Sequence, residues 1–457
     1  MEFMISQKGK SLIKYDGYKF HKTIETEDGW KWRCTQKTCN SKIYLLDDGK
    51  TITKTDICHN HEPEKNIQRQ EVSNRLKRKA TEQVAEIPMK IIRREITNMP
   101  LDVTENLNRQ DMGLIRQNIY RARRKLIPSF PKNIDEAHQA LSSRDIKTYR
   151  GENLLQVNDS NKNIVCFATE SNIKTLSEHE QIFVDGTFQS CPKYFFQLFI
   201  IHAVVNGNYS PLIFFLLPDK TASSYENAFM IIIDLCEKKN IIFNPKIVVA
   251  DFEKAIHISA TKVWPKVRMV GCRFHLTQAW WRKIQEIGLV TEYRDKKSEL
   301  GKWLHLFFAL PFLDPAEVSD AFVENIMAEQ PNDPRIVAFT DYITDTYISE
   351  EAVYPPFVWA SPSVKSERTT NACESFHSHF NCNFNSTHPN IYAFIEVLKA
   401  VHVDIYVWRN TAYPKRVTNQ KYKKRMDIMM GLLHQYEEKK ITRNYFLKCM
   451  AYHCTKK

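Results

Sequence analysis

Five short apolar runs between residues 181 and 274 constrain this chain more than any other feature. They read QIFVDGTF (181–188), FQLFIIHAVVN (196–206), YSPLIFFLLP (209–218), KIVVAD (246–251) and VRMVGCRF (267–274). Each has the length of a strand and is rich in β-branched or aromatic residues. Gly207-Asn208, between the second and third, predicts a hairpin. Helical stretches at about 223–238 and 253–263 separate the later runs. Three strands followed by alternating helices and strands predict an α/β fold, a mixed sheet with helices on its faces. The first and fourth runs deliver a carboxylate, Asp185 and Asp251, where burial begins. A buried ionised carboxylate is costly unless a cation, a set of donors or a metal meets it.

Charge is unevenly spread. The net charge is +12, and residues 1–132 hold 27 Lys and Arg against 17 Asp and Glu, leaving 38 against 36 for the rest. A basic N-terminal module on a near-neutral body suits a phosphate backbone. No apolar run is long enough to span a bilayer and the opening MEFMISQKGK lacks a secretory apolar core, so a soluble chain without a membrane partner is expected. Eleven cysteines, odd in number and scattered, suit reduced thiols or metal ligands better than a disulfide framework.

Residues 30–61 carry Cys34 and Cys39, a turn at Asp47-Asp48-Gly49, then His59 and His61. Side chains at i and i+2 of an extended segment point the same way, so both imidazoles reach one ion and Cys58 faces away. Two thiolates and two imidazoles suit tetrahedral Zn2+. Over 64–132 the chain turns polar and helical; Ile115, Ile119, Ala122 and Leu126 recur as a stripe, with Arg116, Arg121, Arg123, Arg124 and Lys125 as candidate DNA contacts and Pro128 and Pro131 ending the helix. A helix-turn-helix and a solvated connector both fit this pattern.

Residues 1–64 resemble the FLYWCH-type zinc finger, which implies a β-rich DNA- or protein-binding module with Cys34, Cys39, His59 and His61 as ligands. The strand order beyond residue 150 resembles the ribonuclease-H-like core of transposases. The closer resemblance is to Mutator-like element transposases, through VDGTF (184–188), ADFEKA (250–255), GCRFHLTQAWWRKI (271–284) and TTNACESFHSHFN (369–381), four motifs in family order. It implies a DDE-type enzyme whose catalytic triad is Asp185, Asp251 and Glu374, holding Mg2+ or Mn2+, with His275 near the active site, against the scissile phosphate or an extruded base. Divalent-ion phosphodiester chemistry needs such hard oxygen ligands. On a helix Glu374 lies about 200° from Phe376, away from an apolar stripe of Phe376, Phe380 and Phe384. Each carboxylate also has a plainer use: Asp185-Gly186 suits a turn, Asp251 a helix cap, and Glu374 a capping box with Asn371. Glu367 competes for the third position. Cys272 and His275 suit half of a second zinc site or a buried thiol beside a helix-start histidine, and Trp280 and Trp281 either stack on bases or pack a helix.

The expected division is a finger (1–64), a basic helical region (65–132), a catalytic core (133–285), an α-helical insertion (286–366), final core helices (367–408) and a helical C-terminal region (409–457). Leu300, Trp303, Leu304, Phe307 and Phe308 form one stripe in the insertion, and Val318, Phe322 and Ile326 another. Cys449 and Cys454 are too few for a further zinc module. The reading is a nuclear, homodimeric transposase that binds double-stranded terminal inverted repeats and target DNA. RLKRK (75–79) is a short import signal for it. The alternatives are a domesticated DNA-binding regulator without catalysis, and a metal-dependent nuclease that never joins strands.

Overall fold

The computed structural model describes residues 1–6, 9–63, 67–82, 86, 88–99, 107–126, 129–295, 297–364, 370–384, 386–410 and 420–454. The chain divides into two compact units, Met1–Phe130 and Pro131–Lys457.

The first unit opens with a six-stranded antiparallel meander, β1 (Glu2–Ile5), β2 (Ser11–Tyr15), β3 (Tyr18–Thr26), β4 (Gly29–Cys34), β5 (Lys42–Leu45) and β6 (Ile52–Asp56), each strand paired with the next. Its core is Ile13, Phe20, Trp32, Ile43 and Leu45. The expected turn joins β5 to β6: the Asp48 carboxylate accepts the Lys50 and Thr51 amides, and Gly49 takes φ 67°. Among the described residues three helices follow, α1 (Ile67–Glu82), α2 (Pro88–Thr97) and α3 (Arg109–Leu126), around Val72, Leu76, Ile91, Ile92, Ile115 and Ile119.

One expectation on α3 is corrected. The buried row is Asp111, Ile115, Ile119 and Arg123, one residue every four, so Arg123 lies on the packed face and not off it. Its guanidinium donates to the carbonyls of Ala80 (2.9 Å) and Glu86 (2.8 Å). Arg116, Arg121, Arg124 and Lys125 are exposed, and the Leu126 side chain and Pro128 lie outside the described residues.

The second unit is built on a seven-stranded sheet of order β13-β12-β9-β10-β11-β8-β7. Its strands are β7 (Leu155–Asp159), β8 (Ile164–Phe167), β9 (Gln181–Thr187), β10 (Gln197–Val205), β11 (Asn208–Leu217), β12 (Ile247–Ala250) and β13 (Arg268–Gly271). β12 runs parallel to β9 and β13, and the remaining pairs are antiparallel. All five expected strands form, with the hairpin at Asn206-Gly207, both at positive φ. The last is shorter than expected: β13 stops at Gly271 and a helix begins at Arg273.

One face of the sheet, through Ile182, Val184, Phe199 and Ile201, packs on α4 (Glu170–Ser177), α5 (Ala222–Glu237) and α6 (Lys254–Val263). After β13 come α7 (Arg273–Glu286), α8 (Glu299–Phe307) and α9 (Arg335–Ile343); then α10 (Asn371–Asn381) and α11 (Ile391–Asn410). Cys373 of α10 joins Phe183, Val249 and Val270 on the opposite sheet face, and Phe376 and Phe380 lie against Phe214. The expected final core helices are two, because the chain leaves helical geometry after Asn381 and restarts beyond Pro389. Phe384 therefore lies past the end of α10, although its ring still meets Phe380 and Phe394.

Both expected stripes of the 286–366 segment are buried, in one cluster with Trp280 and Ile284 of α7. The same cluster takes in Met429 and Leu433 of α12 (Gln420–Glu437) and Phe446 and Leu447 of α13 (Arg443–Cys454). The C-terminal helices thus cover the helical insertion. Among the described residues no helix is long and apolar enough to cross a membrane.

Candidate active site

The first unit brings Cys34, Cys39, His59 and His61 together, with one ligand atom from each lying within 4.8 Å of all the others. Cys34 Sγ is 3.3 Å from His61 Nε2, and Cys39 Sγ is 3.3 Å from His59 Nδ1. The His61 Nδ1–H donates to the Glu62 carbonyl at 3.0 Å, which leaves Nε2 free to ligate. Tyr18 stacks on the His59 ring, 3.4 Å between centroids. Burial works against ionisation of the Cys39 thiol, but hydrogen bonds from Ser41, the Asn60 amide and His59 bring its pKa down to about 6. Two thiols and two imidazoles, each ring oriented by a neighbour, fit structural zinc. Cys58 is exposed, as expected of a bystander.

In the second unit Asp185 and Asp251 stand at the C-terminal ends of the adjacent parallel strands β9 and β12. Asp185 lies within β9, where its Oδ1 accepts the Gly186 amide at 2.9 Å; it makes no turn. Its Oδ2 is buried and has no hydrogen bond among the described residues, and lies 3.4 Å from His377 Nδ1. Burial, then the charges of Asp251 and Glu374, push the Asp185 pKa up to about 7 against the pull of His275. Asp251 Oδ1 is likewise buried and unpartnered, and burial with Glu253 raises that carboxyl against His275, Lys220 and His257. Asp251 caps no helix: Glu253 holds the N-cap position of α6, and His257 donates to the Asp251 carbonyl at 2.7 Å.

Glu374 sits in the first turn of α10, whose N-cap is Thr370 with no side-chain capping bond, and the Asn371 side chain, the other half of the expected capping box, lies outside the described residues. Glu374 Oε1 is 2.7 Å from His275 Nε2. Burial works against protonation of His275, yet hydrogen bonds to Cys272 and Glu374 and the nearby negative charges push its pKa up to about 10. The Cys272 sulfur accepts the Thr370 amide at 3.0 Å and its hydroxyl at 3.1 Å. Cys272 and His275 therefore tie the end of β13 to the start of the helix that carries Glu374. Among the described residues no third ligating side chain joins them, and the finger quartet is the only cluster of three or more such groups. Asp185 feels the charges of Asp251 and Glu374, but the three carboxylates are not drawn into a set that tight.

Gly186 has a steric reason. A Cβ there would stand 1.8 Å from Gln197 Nε2, on a side chain that also receives the Tyr225 hydroxyl at 3.0 Å. Tyr225 donates at 2.6 Å to Glu253, whose other oxygen is 3.0 Å from Lys220.

Residues 181–279 match the family model of the MULE transposase domain. The chain carries a MULE transposase domain. Residues 3–61 match the model of the FLYWCH zinc finger domain, which covers all four ligands of the quartet. No curated protein matches the chain. The matched transposase domain holds Asp185, Asp251 and His275, and α10 beyond it supplies Glu374. Two neighbours of the transposase-domain carboxylates were not singled out from sequence, His377 and Thr370. His377 is one helical turn beyond Glu374, a spacing that puts both on one face of α10 and was the available signal. Trp280 is fully buried against Trp359, Phe308 and Tyr347, which excludes it as a base-stacking surface. Glu367 lies outside the described residues.

Proposed function

We propose that this chain is a DNA transposase of the Mutator-like type with a ribonuclease-H-like core. The observation that carries the reading is the pair of buried carboxylate oxygens, Asp185 Oδ2 and Asp251 Oδ1, which have no hydrogen bond among the described residues, at neighbouring parallel strand ends within the transposase domain. Such oxygens are costly unless a cation meets them, and carboxylate oxygens are the donors that Mg2+ or Mn2+ prefer. Asp185, Asp251 and Glu374 would hold these ions. The bound ions would supply Lewis acidity at the phosphate and a lowered pKa for the attacking oxygen's proton. His275 positions Glu374 through its 2.7 Å contact, and Thr370 and Cys272 fix the imidazole. The strand order β13-β12-β9-β10-β11 supports the ribonuclease-H-like reading.

In cleavage a water oxygen forms a bond to phosphorus as the bond to the 3′ oxygen breaks, leaving a 5′ phosphate and a 3′ oxygen that takes up a proton to become a hydroxyl. In strand transfer that hydroxyl attacks a target phosphodiester and displaces its 3′ oxygen. The finger and the helices behind it recognise double-stranded terminal inverted repeats. Within the first unit, a groove of about 380 Å³ lined by Lys19, Arg69, Lys77 and Arg121 supports this, as do exposed Arg116, Arg124 and Lys125. Joining two ends calls for a homodimer, and the DNA substrate calls for nuclear residence. In RLKRK, Lys79 is paired with Glu95 at 2.6 Å.

Alanine in place of Asp185, Asp251 or Glu374 should abolish cleavage of DNA carrying the matching repeats while leaving end binding intact. Cleavage by the triple alanine variant would overturn the proposal. End binding with no cleavage by the native chain would make it a DNA-binding regulator.

A further inference from the structure

The loop that leaves the Asp185 strand exposes three aromatic rings. Phe188, Tyr194 and Phe196 are 39%, 41% and 49% exposed, within nine residues of one another. Phe188 and Phe196 meet edge to face at 5.5 Å, and Lys220 Nζ stands 4.6 Å from the centre of the Phe188 ring. The loop is firmly held. Cys191 and Phe195 are buried beneath it, the Lys193 amide donates to the Pro389 carbonyl at 3.1 Å, and the His388 amide donates to the Gln189 carbonyl at 2.9 Å. The Asn381 side chain reaches Gln189 as well, at 3.2 Å.

Tyr194 has φ 77°, a left-handed conformation that bulky side chains rarely adopt and glycine tolerates freely. A pinned loop that carries a strained tyrosine and two phenylalanines in water meets no packing need of its own, and such strain collects at functional positions. Lys220 ties the patch to the carboxylates, because its charge acts on Asp251 and its ammonium lies 3.0 Å from Glu253.

We infer that Phe188, Tyr194 and Phe196, with Lys220 and Lys193 beside them, form a stacking platform for unpaired bases of the DNA strand next to the carboxylate site. This rests on reading that site as the place where phosphodiesters are cut. Ring faces recognise base faces, and base faces are available only where nucleotides are unpaired or extruded. The lysines supply the charge that a phosphate backbone needs. A protein partner, including a second copy of this chain, would have no reason to distinguish paired from unpaired DNA.

The test uses the full chain, in calcium and without cleavage, so that its failure is separable from failure of the cleavage reading. The probes are a blunt duplex and the same duplex with a single-stranded thymidine tail containing 2-aminopurine. The native protein should quench the tail's fluorescence on binding. Phe188→Ala combined with Phe196→Ala should weaken binding of the tailed duplex by about tenfold or more, with the blunt duplex unchanged. Tyr194→Gly, which relieves the backbone and therefore folds, should also lose tail affinity. Equal weakening of both probes, no change in either, or a changed oligomeric state without DNA would overturn the inference.

Discussion

The two candidate metal centres are built in opposite ways. The finger draws four ligands from 28 residues into a set whose ligating atoms are all within 4.8 Å of one another. The carboxylate site draws on β9, β12 and α10, with 122 residues between Asp251 and Glu374, and leaves two buried oxygens without a hydrogen bond among the described residues. A closed set of four donors suits a metal that holds a fold, while an incomplete set suits one that must also meet a substrate. The finger closes on itself. The carboxylates depend on a scaffold assembled from distant parts of the chain.

The largest effect should come from breaking the closed centre. Cys34→Ser, or removal of zinc, should unfold the meander, since zinc binding in such modules is of the order of 10–16 kcal/mol and is folding free energy. Limited proteolysis should then cut within residues 1–61 while the unfolding transition of the second unit stays in place. A finger that remained protected would mean that its apolar core stands alone.

A smaller effect should separate scaffold from surface on one helix. Arg123→Ala leaves the Ala80 and Glu86 carbonyls without their partner, at a cost of about 2–4 kcal/mol read by chemical denaturation. Arg124→Ala, on the exposed face, should change stability by less than about 0.5 kcal/mol but lower the salt dependence of DNA binding by about one counterion. Similar stabilities for the two variants would contradict the buried row.

Smaller still is the support of the open centre. Gly186→Ala drives a methyl into Gln197 and should destabilise the second unit by about 1–3 kcal/mol. Adding Gln197→Ala should recover part of that loss, and no recovery would mean that the clash is relieved elsewhere.

How far each centre could be read in the sequence follows the same contrast. Cys34, Cys39, His59 and His61 were legible because their spacing and chemistry are local. Asp185 and Asp251 stood out because acids end apolar runs, and the five principal strands followed from those runs. β7 and β8 were missed: LQVND is half polar and IVCF too short to carry a period. Arg123 was misplaced because its charge outweighed its position four residues after Ile119. His377 was passed over because Asp185, whose carboxylate it approaches, is 192 residues away, a proximity that only the folded sheet and α10 create. The break after Asn381 was signalled by Pro389 and hidden by the apolar periodicity on either side.

The central claim is that Asp185, Asp251 and Glu374 share divalent ions. Titration of Mn2+ into the zinc-loaded full chain, followed by electron paramagnetic resonance of free Mn2+, tests it most directly. The account predicts binding to the native protein that vanishes in the Asp185→Ala, Asp251→Ala, Glu374→Ala triple variant, with the finger's zinc retained. Unchanged Mn2+ binding in that variant would contradict it.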